Sequence, residues 1–533
     1  MSLTLPATTP TLVPDLEGAR ELAADASVIP VVHRWVEDAE TPVSAFLKLR
    51  GEGPCFLLES AEQGGRMARF SFIGIRPHAM LRWIDGELCE WRGEAALDPQ
   101  AAPTSKVAAP DPYAAVAERI GRLKLAPVED LPPFPGGAVG LFAYDLVRTV
   151  ESEALGEPNP DPLGLPDLAL MIAEAMVVFD HHSRELSVIA NAFVDEGSGG
   201  LDAAYERASA VIADVRERLR QPVPRPTRSE SPGAGQVSEG SPDSVEQDGS
   251  ALPLGFSSSV SRAQFEATVA RIIEYVRAGD AFQVVPSQRF SAPCPVEPFS
   301  IYRGLRAVNP SPYMYFLEFG DFQIAGASPE PLVRVIDGRV EVRPIAGTYP
   351  RGEDEEDDRR RAESLLADPK ERAEHVMLVD LGRNDIGRVS EYGSVEVDEL
   401  MVVETYSHVL HIVSQVSGRL RDGLGAMDVL RACLPAGTLS GAPKVRAMQI
   451  IDELETIKRC SYGGAIGYLS FTGDLDTAIH IRTVVVKDGQ LHVQAGGGTV
   501  ADAKPENEYR ESLQKARAVF SAIELAVGNP EWD

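Results

Sequence analysis

Hydrophobic residues recur along the N-terminal part of the chain with two different spacings. Short apolar or alternating runs predict strands at residues 55–58, 79–83 and 168–179, and a turn at 180–183 predicts a hairpin that returns through 185–189. Helical spacing predicts an amphipathic helix over residues 201–219. This part of the chain therefore combines sheet with at least one covering helix.

The C-terminal part opens with a helix that Ser261 and Gln264 cap and Gly279 ends. The hydrophobic pattern predicts further strands at 281–285, 313–319, 340–344, 409–413, 480–487 and 490–495, and further helices at 369–381, 426–433, 443–454 and 505–527. Strands and helices that mix without strict βαβ alternation favour an α+β fold. In such a fold antiparallel sheets are covered by helices.

Residues 221–254 form the clearest boundary, because Pro, Ser, Gly, Glu and Asp replace nearly all aliphatic residues there. This composition cannot bury a core, so it predicts a flexible linker or surface excursion. It separates an N-terminal domain over residues 26–220 from a C-terminal domain over 255–527. Residues 1–25 are predicted to be flexible.

Composition narrows the class of protein. Over 533 residues, an apolar content of 44% and a charged content of 25% are typical of a globular protein with a full core. The net charge of −29 argues against nucleic acid or an anionic membrane as partner. Scattered cysteines, no signal pattern and no apolar run of about 20 residues predict a soluble, cytoplasmic protein.

Two predicted helices carry carboxylates on one face. The first starts at Asp368–Pro369 and presents Glu374. The last helix presents Glu508, Glu511 and Lys515 at spacings of three and four residues. Solvent exposure explains either face taken alone. If the faces converge, they offer the carboxylates that Mg²⁺ takes together with water and substrate oxygens.

Three glycine-rich segments could hold an anionic ligand. Residues 344–352 predict a turn with N–H groups, a hydroxyl and a guanidinium, and residues 437–444 enter a helix at its positive end. Residues 496–498 follow a strand, where an ordinary turn is an equal alternative. His411 on a strand is more often a core residue than a catalyst. Glu330 follows a strand in a loop, where both catalytic and plain surface carboxylates occur.

Together these segments resemble the chorismate-utilising enzymes, and among them the anthranilate synthase component I family. The resemblance covers nearly the whole chain outside the extreme N-terminus and residues 221–254. The matching motifs are PIAGT at 344–348, AEHVMLVDLGRND at 373–385, GTLSGAPK at 437–444, SYGGAIGY at 461–468 and AGGG at 495–498. The family implies a sandwich of antiparallel sheets with helices outside and an active site between the sheets, in the chorismate-binding domain 255–527.

The resemblance also implies a reaction, the first committed step of tryptophan biosynthesis. Ammonia adds to chorismate at C2, the C4 hydroxyl leaves, and pyruvate is eliminated to give anthranilate. Glu330 would be the general acid, with His411 and Thr438 beside the reacting ring. Glu374 and Glu511, with Glu508, would hold Mg²⁺. The implied substrate-binding residues are Gly347, Thr348, Tyr462, Arg482, Gly496, Gly497, Gly498 and Lys515, of which Lys515 would also support the metal-binding helix.

Two positions separate the members of this family. Relatives that add water carry lysine where this chain has Gln283, and aminodeoxychorismate synthases carry a lysine where it has Ala346. Anthranilate synthesis is therefore favoured, with aminodeoxychorismate synthase component I as the alternative. A catalytically silent regulatory subunit is a second alternative, opposed by the presence of the family's acidic residues. Tyr349 departs from the arginine that is common in relatives at this position.

A regulatory site and a partner are implied as well. Ser60, Pro312, Tyr313 and Met314 match the family's tryptophan-feedback element, although without the resemblance a buried strand end beside a proline-rich turn would be favoured. No segment resembles a glutamine amidotransferase. A separate subunit is therefore expected to supply ammonia, in a heterotetramer of two large and two small subunits.

Overall fold

The computed structural model describes residues 11–51, 53–61, 69–98, 100–194, 199–224, 252–405 and 409–532. Its helices are α1 Leu16–Leu22, α2 Pro42–Leu49, α3 Pro112–Gly121, α4 Leu201–Arg220, α5 Arg262–Ala278, α6 Pro298–Val308, α7 Glu355–Ala367, α8 Pro369–Gly387, α9 Ala426–Cys433, α10 Gly437–Ser440, α11 Lys444–Leu454 and α12 Pro505–Val527. Within these ranges, no helix is both long and apolar enough to cross a bilayer.

The strands of the N-terminal half are β1 Val28–Val36, β2 Cys55–Glu59, β3 Phe70–Ile84, β4 Glu87–Arg92, β5 Ser105–Ala108, β6 Gly137–Phe142, β7 Leu168–Asp180 and β8 Glu185–Phe193. Those of the C-terminal half are β9 Ser257–Ser258, β10 Gln283–Val284, β11 Ser287–Pro293, β12 Tyr313–Glu318, β13 Phe322–Ser328, β14 Pro331–Ile336, β15 Arg339–Val342, β16 Ile345–Pro350, β17 Glu396–Thr405, β18 Val409–Arg419, β19 Gly441–Ala442, β20 Ala465–Ser470, β21 Leu475–Ile479, β22 Thr483–Lys487 and β23 Gln490–Gly496.

The strand pairs join the two halves of the chain into one antiparallel network. β2 pairs with β12 in the register Leu57 opposite Phe316, and β6 pairs with β20 in the register Gly140 opposite Gly467. Only glycine fits at position 140, since a Cβ on Gly140 would lie 2.0 Å from the carbonyl oxygen of Ala169 on β7. The N-terminal and C-terminal parts therefore share a sheet across the predicted linker.

Three layers of buried residues show how the sheets and helices pack. One core is built mainly from strands and includes Phe56, Met171 and Phe322. The other two large cores lie between strands and helices, one against α2, α4, α6 and α12 and the other against α3 and α9. Sheet therefore packs on sheet inside, and helices cover the outside. This arrangement confirms the predicted α+β sandwich.

Local capping explains where the helices that matter for the site begin. Asp368 accepts hydrogen bonds from the N–H groups of Lys370 and Glu371, so α8 starts at Pro369 as predicted. The predicted Ser261–Gln264 capping box and the left-handed Gly279 bound α5. The predicted bounds of α12 are those of the structure.

Some predictions need correction. Residues 11–25 were expected to be flexible but contain α1, which Asp15 caps and which an Arg20–Asp202 ion pair of 2.7 Å ties to α4. The predicted turn at 344–352 is instead strand β16, because residues 345–350 pair with β18. The rest of the predicted flexible N-terminus, residues 1–10, and most of the predicted linker, residues 225–251, lie outside the described residues.

Candidate active site

Glu330 occupies the short connection between β13 and β14. The Ile479 N–H donates to the main-chain carbonyl of Glu330 over 3.0 Å, which fixes this connection beside β21. The Thr438 hydroxyl on α10 donates to Oε1 of Glu330, also over 3.0 Å. Burial raises the pKa of Glu330 to about 7, against the opposing effects of Thr438 and Lys515. A carboxyl group with this pKa can carry a proton near neutral pH, as a general acid must.

A bulge in β16 places Gly347 beside His411. The pairing of β16 with β18 shifts register between Ala346 and Thr348, and Gly347 takes a φ of 65° at the bulge. A side chain would be strained at that φ, and a Cβ would also meet Oε2 of Glu371 at 3.0 Å. Glycine is therefore required where the strand bends. The backbone of Thr348 lies opposite His411, and its side chain lies outside the described set.

His411 is partly buried on β18. Its Nδ1 lies 2.9 Å from the carbonyl oxygen of Gly347, which can only accept, so Nδ1 carries the hydrogen. Burial is the main cause that lowers the pKa of His411, and Arg482 adds to the effect. The ring is therefore neutral at pH 7. Its position is fixed by the same bulge that shapes the PIAGT segment.

Two carboxylates of α12 lie beside the glycine-rich end of β23. A Cβ on Gly497 would lie 3.0 Å from Oε1 of Glu511 and 3.1 Å from Oε2 of Glu508, so both oxygens face the same point. Oε2 of Glu508 is buried without a hydrogen-bond partner among the described residues. Burial, followed by the charges of Glu511 and Glu374, raises the pKa of Glu508 to about 7. The charge of Glu374 on α8 reaches Glu508, and a joint metal site of the two helices stays a prediction.

The three carboxylates do not form a finished metal site. In the described ranges, no three acidic, histidine or cysteine side chains are arranged closely enough to hold a metal ion as they stand. The surroundings nevertheless fit a hard cation. Glu508 has an unsatisfied buried oxygen, and mutual repulsion of like charges is what a cation would relieve.

Lys515 connects these carboxylates to the sheet. Its Nζ lies 2.8 Å from Oε1 of Glu511 and donates to the carbonyl oxygen of Gly496 over 3.0 Å. Gly496 itself packs on the main chain of β11, since a Cβ there would lie 2.0 Å from the carbonyl oxygen of Pro286. In this structure Lys515 therefore supports the acidic helix by direct contact.

Tyr462 and Arg482 lie together in the C-terminal half. Burial raises the pKa of Tyr462, and the Arg459 guanidinium lies 5.7 Å from the centre of its ring. Arg482 has a φ of 52° in the turn before β22, and burial lowers its pKa while the charges of Tyr462 and Glu511 oppose that effect. No ion pair of Arg482 is formed within the described part of the chain. A partly buried guanidinium without an ion pair among the described residues suits the carboxylate of a ligand.

The two positions that separate relatives are both buried. Gln283 on β10 contacts the glycine run, since a Cβ on Gly498 would lie 2.0 Å from its Nε2. Its Oε1 is buried and has no hydrogen-bond partner among the residues described. Ala346 lies opposite Ile412 on β18. Gln283 therefore lies at the same glycine-rich strand end as the acidic helix.

The residues that were predicted to bind tryptophan lie where β2 meets β12. Glu59, the last residue of β2, lies opposite Met314, and the N–H of Ala61 donates to the carbonyl oxygen of Ser311 over 3.1 Å. Oγ of Ser60 is buried without a hydrogen-bond partner in the described residues. The structure thus brings the Ser60 end of β2 alongside the segment that contains Pro312.

Tyr313 and Met314 point to opposite faces of β12, as neighbours on a strand do. Met314 is buried in the core beneath the helices, whereas the Tyr313 hydroxyl donates to Oδ1 of Asp476 over 2.9 Å. A ligand at the end of this strand could therefore contact both side chains only from its edge.

Sequence reasoning missed one ion pair near Glu330. Residues 437–444 were expected to hold an anionic ligand at the start of a helix, but Nζ of Lys444 in this segment lies 2.8 Å from Oδ2 of Asp385. A signal for this pair exists in the sequence. A lysine at the start of a helix and an aspartate in the last turn of a helix both oppose the helix dipole. Each is therefore expected to pair with an opposite charge from another part of the chain.

Comparison with known proteins agrees with the geometry. The sequence profile of chorismate binding enzymes matches residues 53–521. Anthranilate synthase component 1 of Pseudomonas aeruginosa is 49% identical over 506 residues, covering 95% of this chain and 97% of that protein. The corresponding protein of Aquifex aeolicus is 44% identical and covers 97% and 99%. The crystal structure of anthranilate synthase component I from Streptococcus pneumoniae superposes with a TM-score of 0.71 at 39% identity, covering 91% of this chain and 99% of that one.

A family of enzymes that bind chorismate is thus matched over most of the chain. The chain belongs to this family and, within it, to the anthranilate synthase component 1 group. The isochorismate synthase MenF of Escherichia coli shares the fold at 17% identity, with a TM-score of 0.64.

Proposed function

We propose that the chain is the ammonia-using component of anthranilate synthase, a lyase that converts chorismate and ammonia into anthranilate and pyruvate. The observation that carries this proposal is the Glu330–Thr438 contact, where burial holds a carboxyl group with a pKa of about 7. Such a group is protonated often enough at neutral pH to act as an acid. The family description supports chorismate as the substrate, and the names of relatives support anthranilate as the product.

In the proposed reaction Glu330 gives its proton to the departing C4 hydroxyl. A bond forms between the ammonia nitrogen and C2, the C4–oxygen bond breaks, and the hydroxyl leaves as water. Elimination of the side chain as pyruvate then leaves the aromatic ring of anthranilate. Arg482 would bind a carboxylate of chorismate, because its guanidinium is partly buried and forms no ion pair in the described part of the chain.

Glu374, Glu508 and Glu511 would hold Mg²⁺. Support comes from the buried, unsatisfied oxygen of Glu508 and from the absence of a side chain at Gly497, which leaves space between the carboxylates and the backbone. An all-oxygen donor set suits this hard cation. When bound, the ion would supply Lewis-acid stabilisation at a substrate carboxylate.

Ammonia rather than water is the proposed nucleophile. Gln283 is a neutral amide, so it cannot act as the base that water needs, whereas ammonia is nucleophilic without one. Ala346 offers no amine to attack the ring, which favours anthranilate over the aminodeoxychorismate alternative. In the same proposal a glutamine amidotransferase subunit supplies ammonia in a heterotetramer, and the "component 1" in the names of relatives supports a partner.

Feedback inhibition by tryptophan at the junction of β2 and β12 is part of the proposal. The buried hydroxyl of Ser60, without a partner among the described residues, supports a ligand there because buried polar groups normally find one. A cytoplasmic location is supported by the cysteines, since none of the five forms a disulfide.

The test is anthranilate fluorescence from the purified chain with chorismate, Mg²⁺ and ammonium. We expect anthranilate that depends on Mg²⁺ and falls when tryptophan is added. The control is Glu330→Gln, which keeps the shape of the side chain but cannot donate a carboxylic proton. Chorismate consumed without anthranilate would favour the aminodeoxychorismate alternative. If chorismate is not consumed at all, the chain is a silent subunit and the proposal is wrong.

A further inference from the structure

The Lys444–Asp385 ion pair lies close to the Glu330–Thr438 contact. A cavity of about 50 Å³ is bordered by Glu330 and Thr438 and also by Asp385. We propose that the pair, named here the Lys444–Asp385 clamp, positions α10 so that Thr438 keeps the Glu330 carboxyl aimed at the departing hydroxyl. This inference rests on the proposed function and assigns the pair a positioning role, without contact to substrate.

Contacts of Lys444 close the segment that carries Thr438. Residues 434–443 lie between α9 and α11, with Cys433 directly before them and Lys444 directly after. Nζ of Lys444 donates to the carbonyl oxygen of Cys433 over 3.2 Å and to Oδ2 of Asp385 over 2.8 Å. One ammonium group therefore ties both ends of the segment together and fastens them to the end of α8.

The helix α10 needs such external support. It spans only Gly437–Ser440, which is too short to be stable on its own hydrogen bonds. Its first residue packs directly on α8, since a Cβ on Gly437 would lie 2.8 Å from Cδ1 of Leu381. Its far end is held separately, because Arg459 donates to the carbonyl oxygen of Leu439 over 2.6 Å. The position of Thr438 therefore depends on how α8 and α10 are held together.

The chemistry of the clamp is not explained by the helices that carry it. Lys444 is the first residue of α11 and Asp385 lies in the last turn of α8, so each charge opposes the dipole of its own helix. The two side chains are also only 10% and 8% exposed. Burying two charges commonly stabilises a fold no better than apolar residues of similar size would. A role in positioning, rather than in stability, accounts for this choice of residues.

The test replaces the clamp by apolar residues of similar size, Lys444→Met with Asp385→Leu. The matched control is Lys48→Met with Glu40→Leu, which removes a lysine pair of similar burial, 11% and 10% exposed, at α2 rather than at α10. Each protein is assayed with chorismate, Mg²⁺ and ammonium, and its Tm is measured. We expect the clamp variant to lose about 10- to 100-fold in kcat, with KM for chorismate changed less than about threefold, because misplacing an acid costs rate rather than binding. The control should keep kcat within about twofold.

A second comparison separates positioning from general loosening. If the clamp acts through Thr438, its loss in a Thr438→Val protein should lower kcat less than about twofold further, because groups that act as a unit are not additive. The inference would be overturned if the kcat losses of the clamp variant and of Thr438→Val multiplied in the combined protein. It would also be overturned if the clamp variant kept its kcat, or if the control variant lost as much kcat as the clamp variant. Asp385→Asn, which keeps the shape of the site, gives the same comparison if the double variant does not fold. Absence of anthranilate from the unchanged protein would instead refute the proposed function.

Discussion

Replacing Thr438 by valine removes one hydroxyl, keeps the size of the side chain, and so tests what the hydrogen bond to Glu330 does. The hydroxyl donates to the carboxyl oxygen over 3.0 Å and so favours the ionised form, which lowers the pKa. Without that bond, the pKa of Glu330 should rise above its value of about 7. The direction of this change follows because the substitution removes a contact that lowers the pKa and keeps the burial that raises it.

The magnitude follows from the strength of a hydrogen bond to a charged group. Such bonds contribute about 1.5–3 kcal/mol, and about 1.4 kcal/mol corresponds to one pKa unit. Glu330 is partly rather than fully buried, so solvent screens some of this energy and the lower end applies. We therefore expect the pKa of Glu330 to rise by about one unit in Thr438→Val.

The measurement is the pH dependence of kcat/KM for chorismate, which reports on the free enzyme. Activity needs protonated Glu330, so it should fall above about pH 7 in the unchanged protein and about one unit higher in the variant. The ratio of ammonia to ammonium also changes with pH, so the assay holds free ammonia constant. Thr149→Val is the control, because it removes a similar hydroxyl that donates to the Leu146 carbonyl over 2.8 Å. An alkaline limit that stays in place, or moves to lower pH, would refute the role given to Thr438.

Three further predictions concern other parts of the site. Glu330→Gln should lower kcat by about 10²- to 10⁴-fold. The same variant should also have a higher free energy of unfolding than the unchanged chain, by a margin that grows as pH rises from about 4.5 to about 7. The sign follows because, between these pH values, Glu330 is protonated in the folded state and ionised in the unfolded state, so ionising it at higher pH destabilises the fold. Thermal unfolding at pH 5 and pH 8 measures the difference. An equal effect of the substitution at both pH values would contradict the prediction. Gly497→Ala should weaken Mg²⁺ binding by about tenfold, because its methyl group would lie about 3 Å from the oxygens of Glu508 and Glu511. Titration of activity with Mg²⁺ tests this, and an unchanged half-saturating concentration would speak against these carboxylates as ligands. Ser60→Ala should weaken tryptophan inhibition by about 5- to 20-fold at unchanged kcat, because a hydrogen bond contributes about 1 kcal/mol or more, and inhibition curves that coincide would remove Ser60 from the site.

Much of the fold was predictable because long elements repeat one hydrophobic spacing. The bounds of α12 and the hairpin of β7 and β8 follow from such runs and from their caps. Short elements were predicted less well. The strand predicted at 281–285 is only Gln283–Val284, because only these two residues pair with β19. So short a strand has no hydrophobic alternation from which its bounds could be predicted. The turn predicted at 344–352 became a strand because pairing with β18, which is distant in sequence, decides its conformation.

The sequence nominated the residues of the candidate site, but it did not predict how they are arranged. Helical spacing put Glu508 and Glu511 on one face, yet only the structure shows that both face Gly497. The Glu330–Thr438 contact joins residues more than a hundred positions apart, and no spacing rule covers such a distance. The pairing of Lys444 with Asp385 was not predicted for the same reason, since the two residues lie on different helices.

Two lysines support the site in the same chemical way, but in different surroundings. Lys515 pairs with Glu511 and donates to the carbonyl of Gly496, and Lys444 pairs with Asp385 and donates to the carbonyl of Cys433. The side chains of the first pair are 36% and 46% exposed, whereas those of the second are 10% and 8% exposed. Dissolved salt screens exposed charges and largely spares buried ones. Ionic strength should therefore act on the acidic helix α12 and its carboxylates, while the support of Thr438 and Glu330 stays constant.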